Sequence, residues 1–418
     1  MPNTRPDFDV IVIGGGMVGA TCALALAGRG LNLAVIEAQE PPRSWSQGAI
    51  DGRVSALNRA SQRLFERLEL WESIRELGVN PYQAMHVWDA LSGGQIHFDS
   101  QALGEPDLGY IVENRVVQRV LWEQLENAEA VTLLCPAGIV GLETDSSGAQ
   151  LMLTDGRTLT TRLVIGADGR DSLVRTLADI ETETVEYAQR AIVAQVRPTD
   201  WHRDTAWQRF LPTGPLALLP LADGRCSLVW SADDDRAREL LALDDAAFSA
   251  ALTEASELRL GTLTLDSPRT AIALRRQHAT TYIRPALALI GDAAHAIHPL
   301  AGQGVNLGFM DAAELAAAIL LAHRHGRALG GRWTLRRYER ARRHVNAQML
   351  QMMDGFKRLF GNTEPLIVRA RGLGLNLVDH LEPVKRLMMQ SAFSGQFSAT
   401  SRQRSASQQR LFSDHFDS

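Results

Sequence analysis

The sequence predicts an α/β fold with an inserted antiparallel sheet and a helical C-terminal region, on three observations. A β-branched run, "DVIVI" at residues 9–13, passes directly into "GGGMVGATCALALAGRG" and then into a second apolar run at 33–36. Such continuous apolar runs suit strands of a parallel sheet buried on both faces. Further on, "AIVAQV", "TAWQRFLP", "LALLPL" and "CSLVWS" are short, alternating and punctuated by turns, as antiparallel strands are. After about residue 333 the chain turns basic and helical in "LRRYERARRHVNAQMLQMM".

Composition narrows the class. A chain of 418 residues with 45% hydrophobic and 22% charged side chains can bury a sizeable core in two or three packed units. Its net charge of -5 argues against a nucleic-acid partner. Cys22, Cys135 and Cys226 lie far apart, with neither disulfide-scaffold nor zinc spacing, and read as small buried hydrophobes. The opening residues show no secretory pattern, and no window approaches the ~20 apolar residues of a membrane span. The expectation is a cytoplasmic protein whose membrane contact is at most peripheral.

The first glycine run carries the G-x-G-x-x-G spacing at Gly14, Gly16 and Gly19, and Glu37 ends the second strand about 20 residues on. Gly14 permits the tight turn, Gly16 lets backbone N–H groups approach a pyrophosphate, and Gly19 lets the helix pack on the strand. The helix N-terminus favours the phosphates, and Glu37 can accept from both hydroxyls of an adenosine ribose. Strand, turn, helix, strand and acid in this order point to a dinucleotide, FAD or NAD.

Two later stretches repeat the strand-to-turn pattern. "RLVIGADGRDSLVR", residues 162–175, ends a strand at Asp168 and Gly169; Asp171 or Ser172 could simply cap a helix there. "GDAAHAIHPLAGQGVNLG", residues 291–308, ends a strand at Gly291–Asp292 and runs into a long helix of small and apolar residues. Asp292, His295 and His298 can be imagined as metal ligands. H-x-x-H without an acidic partner at helical spacing is a poor metal motif, and the histidines read better as loop supports.

The three ordered motifs resemble the class A FAD-dependent aromatic monooxygenases of the p-hydroxybenzoate hydroxylase fold. With "ENRVVQRVLW" and "LVIGADG", the late motif resembles the ubiquinone-biosynthesis hydroxylases, including octaprenylphenol hydroxylases, from about residue 9 to about residue 390. The resemblance implies a Rossmann-like FAD-binding domain with an inserted antiparallel-sheet substrate domain. It implies non-covalent FAD, held by the glycine motif with Glu37, Arg53, Gln118, Asp168 and Asp292. The loop of Pro299, Gly302, Gln303, Gly304, Val305 and Asn306 then lies against the isoalloxazine, where backbone N–H groups can stabilise charge on the reduced ring.

By the same resemblance, NAD(P)H is a transient co-substrate that reduces the flavin. O2 adds at the flavin C4a, and the hydroperoxide hydroxylates a polyprenylated phenol or benzoquinol; other ubiquinone-biosynthesis proteins are candidate partners. Competing readings at this level are a flavin monooxygenase for another aromatic compound and a non-enzymatic FAD-binding scaffold. A related halogenase would carry a W-x-W-x-I-P run, and a disulfide reductase a C-x-x-x-x-C and a second fingerprint; the sequence has neither.

The boundaries expected are 1–84, 109–182 and 269–345 for the FAD-binding domain and 85–108 with 183–268 for the substrate sheet. Residues 346–394 follow as C-terminal helices and 395–418 as a disordered tail. Trp207, Phe210, Leu218 and Trp230 fall on the sheet, as core more readily than as pocket. Arg53, Gln118 and the pair Arg275 and Arg276 could each be surface residues; the two arginines could alternatively meet nicotinamide phosphates. Leu373, Leu377, Leu381, Val384 and Met388 recur at helical spacing, expected to pack on the body rather than to dock a membrane or partner.

Overall fold

The computed structural model describes residues 5–42, 53–297 and 304–394, with side chains to Met389. Pro299, Gly302, Gln303 and His298, and the tail expected at 395–418, lie outside the described residues.

Six strands form the first sheet, in the order Ile283–Arg284, Leu287–Leu289, Val164–Gly166, Val10–Ile13, Leu33–Ile36, Val131–Leu134. All neighbours are parallel except the Ile283–Arg284 edge. Val10–Ile13 and Leu33–Ile36 are buried along their whole length, which is why they read as unbroken apolar runs. The helix Met17–Leu26 packs between the helices Asn114–Asn127 and Gly304–Arg324. The Gly304–Arg324 helix is long and apolar enough to cross a membrane, but most of it is buried in the protein core.

The second sheet runs from His295–Ala296 through Thr270–Ala279, Thr182–Pro198, Cys226–Asp233, Gly214–Pro220 and Thr205–Leu211 to Ala84–Asp89 and Gln95–Asp99. Trp230 and Leu218 are core beneath the helices Asp234–Ala242 and Asp245–Ala255, whereas Phe210 turns to the opposite face. Two boundaries move from those read in the sequence. Thr270–Ala279 belongs to this sheet, because the 17-residue strand Thr182–Pro198 needs a partner along its length. Residue 345 falls inside one continuous helix, Arg332–Phe360.

The C-terminal helix Pro365–His380 covers the edge strand Gln95–Asp99. Asn376 Oδ1 accepts from the Gln95 N–H at 3.0 Å and Asp379 Oδ1 from the His97 N–H at 2.9 Å, so these two outward donors of the strand are satisfied. Arg371 is buried against Asp89, with Nη2 2.9 Å from Oδ2. The leucines, however, do not pack. Leu373 is 72% and Leu377 60% exposed, contrary to the packing expected from their spacing, because the polar residues between them hold the sheet edge.

One buried carboxylate ties these layers together. Asp311, on the Gly304–Arg324 helix, accepts from the Gly291 N–H (3.1 Å), His295 Nε2 (2.5 Å), Arg342 Nε (2.7 Å) and Asn346 Nδ2 (3.0 Å). Asn346 continues to the Tyr282 hydroxyl, which meets His278 at 3.0 Å. Burial alone would raise the Asp311 pKa, but His295 and Arg342 outweigh it and hold the carboxyl down at about 2. A depressed folded-state pKa adds stability that is present above the ordinary carboxylate range and is lost as pH falls toward 2.

Asp311→Asn leaves Arg342 buried without its counter-ion, a change that costs about 3–5 kcal/mol. Urea unfolding of the two proteins between pH 7 and pH 2 is the check. The wild-type advantage is expected at neutral pH and should shrink as Asp311 is protonated; equal stability at pH 7 would contradict this role.

Candidate active site

All the motifs singled out in the sequence leave the first sheet at one level. Ile36 pairs with Ile13, Ile13 with Gly166, and Gly166 with Leu289. From this single row the chain continues into Glu37, Gly14–Gly19, Asp168–Gly169 and Gly291–Asp292, all at the carboxyl ends of adjacent parallel strands. The crevice outside those ends is where such sheets bind dinucleotides.

The three fingerprint glycines do three separate jobs. Gly14 has φ +102°, and a Cβ there would stand 2.4 Å from the Ala167 carbonyl oxygen. A Cβ on Gly19 would stand 2.0 Å from the Gly14 oxygen. Gly16, the N-cap of the Met17–Leu26 helix, has an ordinary φ of -64°, and among the described residues a Cβ on it would meet nothing within 4 Å. Among the described residues nothing therefore demands glycine at 16. The open space before the helix N-terminus fits a pyrophosphate, which does.

Glu37 and Gln118 hold the glycine turn from both sides. Glu37 Oε2 accepts from the Gly15 N–H at 2.7 Å, and Gln118 Nε2 donates to the Gly15 oxygen at 2.7 Å. Gln118 thus touches the turn directly instead of facing solvent. The half-buried Glu37 keeps lone pairs for ribose hydroxyls. Gly15 is itself confined, since a Cβ would lie 2.9 Å from the Trp122 ring.

The middle motif is anchored more than it is open. Asp168 accepts from the Ser172 hydroxyl at 2.5 Å and the Val174 N–H at 3.0 Å, and Ser172 caps the helix Leu173–Leu177. The capping alternative therefore describes Ser172. Arg175, which sequence reading passed over, donates to the Ala293 oxygen at 2.9 Å and to the Arg170 oxygen at 2.9 Å, tying the second motif to the third. Arg275 pairs with Asp171 and Arg276 with Asp354, so neither simply faces solvent.

In the third motif Gly291 takes φ +58°, and Asp292 follows it to the surface of the crevice. The Asp292 carboxyl is open to solvent, yet desolvation by the surrounding walls raises its pKa against the pull of His295 and Arg170. That combination belongs to an acid lining a deep open cleft, where it can meet a ligand's hydroxyl groups. Arg53 is exposed at the foot of the strand Val54–Leu57, its carbonyl accepting from the Asn114 N–H at 3.0 Å.

Gly304 opens its helix, whose first N–H groups lack intrahelical partners, and among the described residues a Cβ on it would touch only Ile297 at 3.7 Å. Val305 packs partly into the core. The Asn306 side chain is spent on structure. Its Oδ1 accepts from the Asn58 N–H (3.1 Å) and the Ser61 hydroxyl (2.7 Å), and its Nδ2 donates to the Ala56 oxygen (2.8 Å). Any contact of Asn306 with a cofactor falls to its backbone. His295 is held by Asp311, and among the described residues no cluster of His, Cys, Asp and Glu could hold a metal.

A crevice with an open helix N-terminus, a carboxylate ending the second strand and a second acid before a long helix fits a flavoprotein of the Rossmann-like monooxygenase class. The chain matches the family described as FAD binding domain over residues 7–353. It is 40% identical to ubiquinone hydroxylase UbiL of Rhodospirillum rubrum, covering 92% of this chain and 89% of that one. It is 37% identical to 3-demethoxyubiquinol 3-hydroxylase of Escherichia coli, over 93% and 99% of the two chains. Among solved structures, the probable FAD-dependent monooxygenase pqsL of Pseudomonas aeruginosa superposes with a TM-score of 0.75 at 25% identity, covering 88% of this chain and 99% of that one. Klebsiella pneumoniae HpxO, solved with FAD and uric acid, shares the fold with a TM-score of 0.71 at 20% identity, over 93% and 97% of the chains. The chain belongs to the FAD-dependent hydroxylase family of ubiquinone biosynthesis.

The glycine geometry separates binding from folding. Gly16→Val is expected to leave the stability of the cofactor-free protein within about 1 kcal/mol of wild type and to weaken FAD by roughly a hundredfold or more. Gly19→Ala is expected to destabilise the cofactor-free protein itself by about 1–3 kcal/mol through overpacking. Thermal unfolding beside FAD titration checks both; a Gly16→Val protein that binds FAD normally would remove the pyrophosphate from this turn.

Proposed function

We propose that this enzyme hydroxylates the aromatic ring of a polyprenylated phenol or benzoquinol on the route to ubiquinone. The observation that carries the substrate class is a cavity of about 860 Å³ between the second sheet and the C-terminal helices. Its size is that of a pocket for a substantial ligand. Its inner end is Asn58, whose N–H is bonded to Asn306 beside the start of the Gly304 helix, the side assigned to the flavin. From there it runs between Met85, Phe98, Phe210 and Met353 toward Ile367 and Leu387.

FAD, which the Gly14–Gly19 turn, Glu37 and Asp292 would hold, would supply the redox chemistry: two electrons from NAD(P)H and O2, one oxygen atom for the ring and the other for water. The chain's own part is binding, orientation and the exclusion of water. Among the described residues no carboxylate, histidine or lysine lines the cavity, so its described walls offer the ring neither a carboxylate or imidazole base nor an amine nucleophile. Tyr82, whose phenol burial and Asp107 push up to about 12, stays a neutral hydrogen-bond donor near the inner end. Asn58 and Gln208 add neutral polar contacts. The apolar walls keep water from the reacting centre and accept a prenyl chain by area rather than by hydrogen bonds.

The chain-length reading is tested at Gly374, which lines the cavity and whose Cβ would meet nothing within 4 Å. Gly374→Phe adds a ring at the cavity wall, where among the described residues its Cβ meets no neighbour. It is expected to raise KM for a long-chain prenylated quinol about tenfold or more while sparing a short-chain analogue, since lost burial of a few methylenes has that size. Equal effects on both substrates would place the tail elsewhere.

A further inference from the structure

We propose that the exposed apolar face of the helices Pro365–His380 and Glu382–Ser394 seats this enzyme on an anionic lipid surface, with the cavity mouth opening onto the bilayer. The inference rests on the preceding reading only for the identity of what enters; the docking itself stands on the face.

Leu366, Leu373 and Leu377 are spaced so that a helix stacks them in one stripe, and they are 80%, 72% and 60% exposed. Leu387 and Met388 extend the patch on the second helix at 52% and 41% exposure. A contiguous apolar patch of this kind marks an interaction surface in proteins that otherwise keep large apolar side chains scattered. The helices are not poised to roll inward. Arg371 locks the first to Asp89, and Asn376 and Asp379 lock it to the sheet edge.

Two observations choose lipid as the occupant. The first is continuity with the cavity. The neighbouring side of the same helix, through Ile367, Gly374 and Val378, lines the cavity, and Leu387 and Met388 belong both to the exposed patch and to the cavity wall. An apolar molecule dissolved in a bilayer under this face would pass from lipid to cavity without crossing water. The second is charge. Residues 365–394 carry four cations, Arg369, Arg371, Lys385 and Arg386, against Asp379 and Glu382, in a chain whose net charge is -5. Arg371 and Lys385 are buried in ion pairs, which leaves Arg369 and Arg386 exposed on the helices that carry the leucines. Apolar side chains beside exposed cations are what an interfacial helix presents to anionic headgroups.

The test is flotation of the FAD-loaded enzyme with phosphatidylcholine vesicles, with and without phosphatidylglycerol. Wild type is expected to float with the anionic vesicles. Leu373→Gln with Leu377→Gln is expected to lower the bound fraction at least about tenfold, with unchanged FAD content and unchanged turnover of a short-chain, water-soluble quinol. Arg386→Glu is expected to reduce the preference for phosphatidylglycerol. Wild type that stays unbound, or a double variant that floats like wild type, overturns the proposal. So does loss of flotation on deleting residues 395–418 when the leucine variant still floats, which would assign the contact to the tail. So does a dimer that the leucine substitutions dissociate while flotation is unchanged. Flotation with no turnover of any prenylated ring would leave the docking standing and refute the substrate reading.

Discussion

A carboxylate without access to water must be satisfied by the protein, and Asp311 is satisfied from the turn at Gly291, the histidine at 295 and the helix that carries Arg342 and Asn346. The third motif and the elements behind it meet at this point. The turn that presents Asp292 has its backbone fixed by Asp311. The short strand His295–Ala296, which joins the motif to the second sheet through Gln277 and His278, has its histidine fixed by the same carboxylate. The Gly304 helix that carries Asp311 also packs against the fingerprint helix, so closely that a Cβ on Gly308 would stand 2.6 Å from Val18. The Gly291 turn, the second sheet and the Arg332–Phe360 helix are thereby set relative to one another by one ion-paired cluster.

From that arrangement follows a division of labour. The first sheet gathers its turns at one level, making a crevice bordered by the Gly14–Gly19 turn, Glu37 and Asp292. The second sheet and the C-terminal helices make an apolar chamber with few polar groups and, among the described residues, no titrating side chain at neutral pH. Reactive chemistry belongs to the bound FAD, and selectivity belongs to shape. Buried polar networks sit behind the crevice and at the sheet edge, where they hold geometry.

Much of this was legible in the residues, for a physical reason. Steric demands at Gly14 and Gly19, the acid ending the second strand, and small residues opening a long helix are local requirements that a sequence must state locally. The fold class and FAD follow from them, as the family match bears out. What was not legible depends on distant partners. Arg342 is one of several arginines in "LRRYERARRH", and nothing nearby distinguishes it from its exposed neighbours. Asp311 could have been suspected as a carboxylate in an otherwise apolar helix stretch. Asn306 looked like a ligand residue, but its side chain is consumed by Ala56, Asn58 and Ser61, some 250 residues away. Leucine spacing at 373 and 377 showed an apolar stripe without showing which side of the helix the sheet edge would take.

The central claim is that FAD in this crevice carries oxygen from O2 to a ring held in the apolar chamber. Turnover of the FAD-loaded enzyme under 18O2, with NAD(P)H and a prenylated phenol or benzoquinol precursor, tests it by mass spectrometry of the product. One 18O atom is expected in the new ring hydroxyl, with NAD(P)H consumed in equal amount. A ring oxygen drawn from water, or NAD(P)H oxidation that yields no hydroxylated product with any such precursor, would contradict the account.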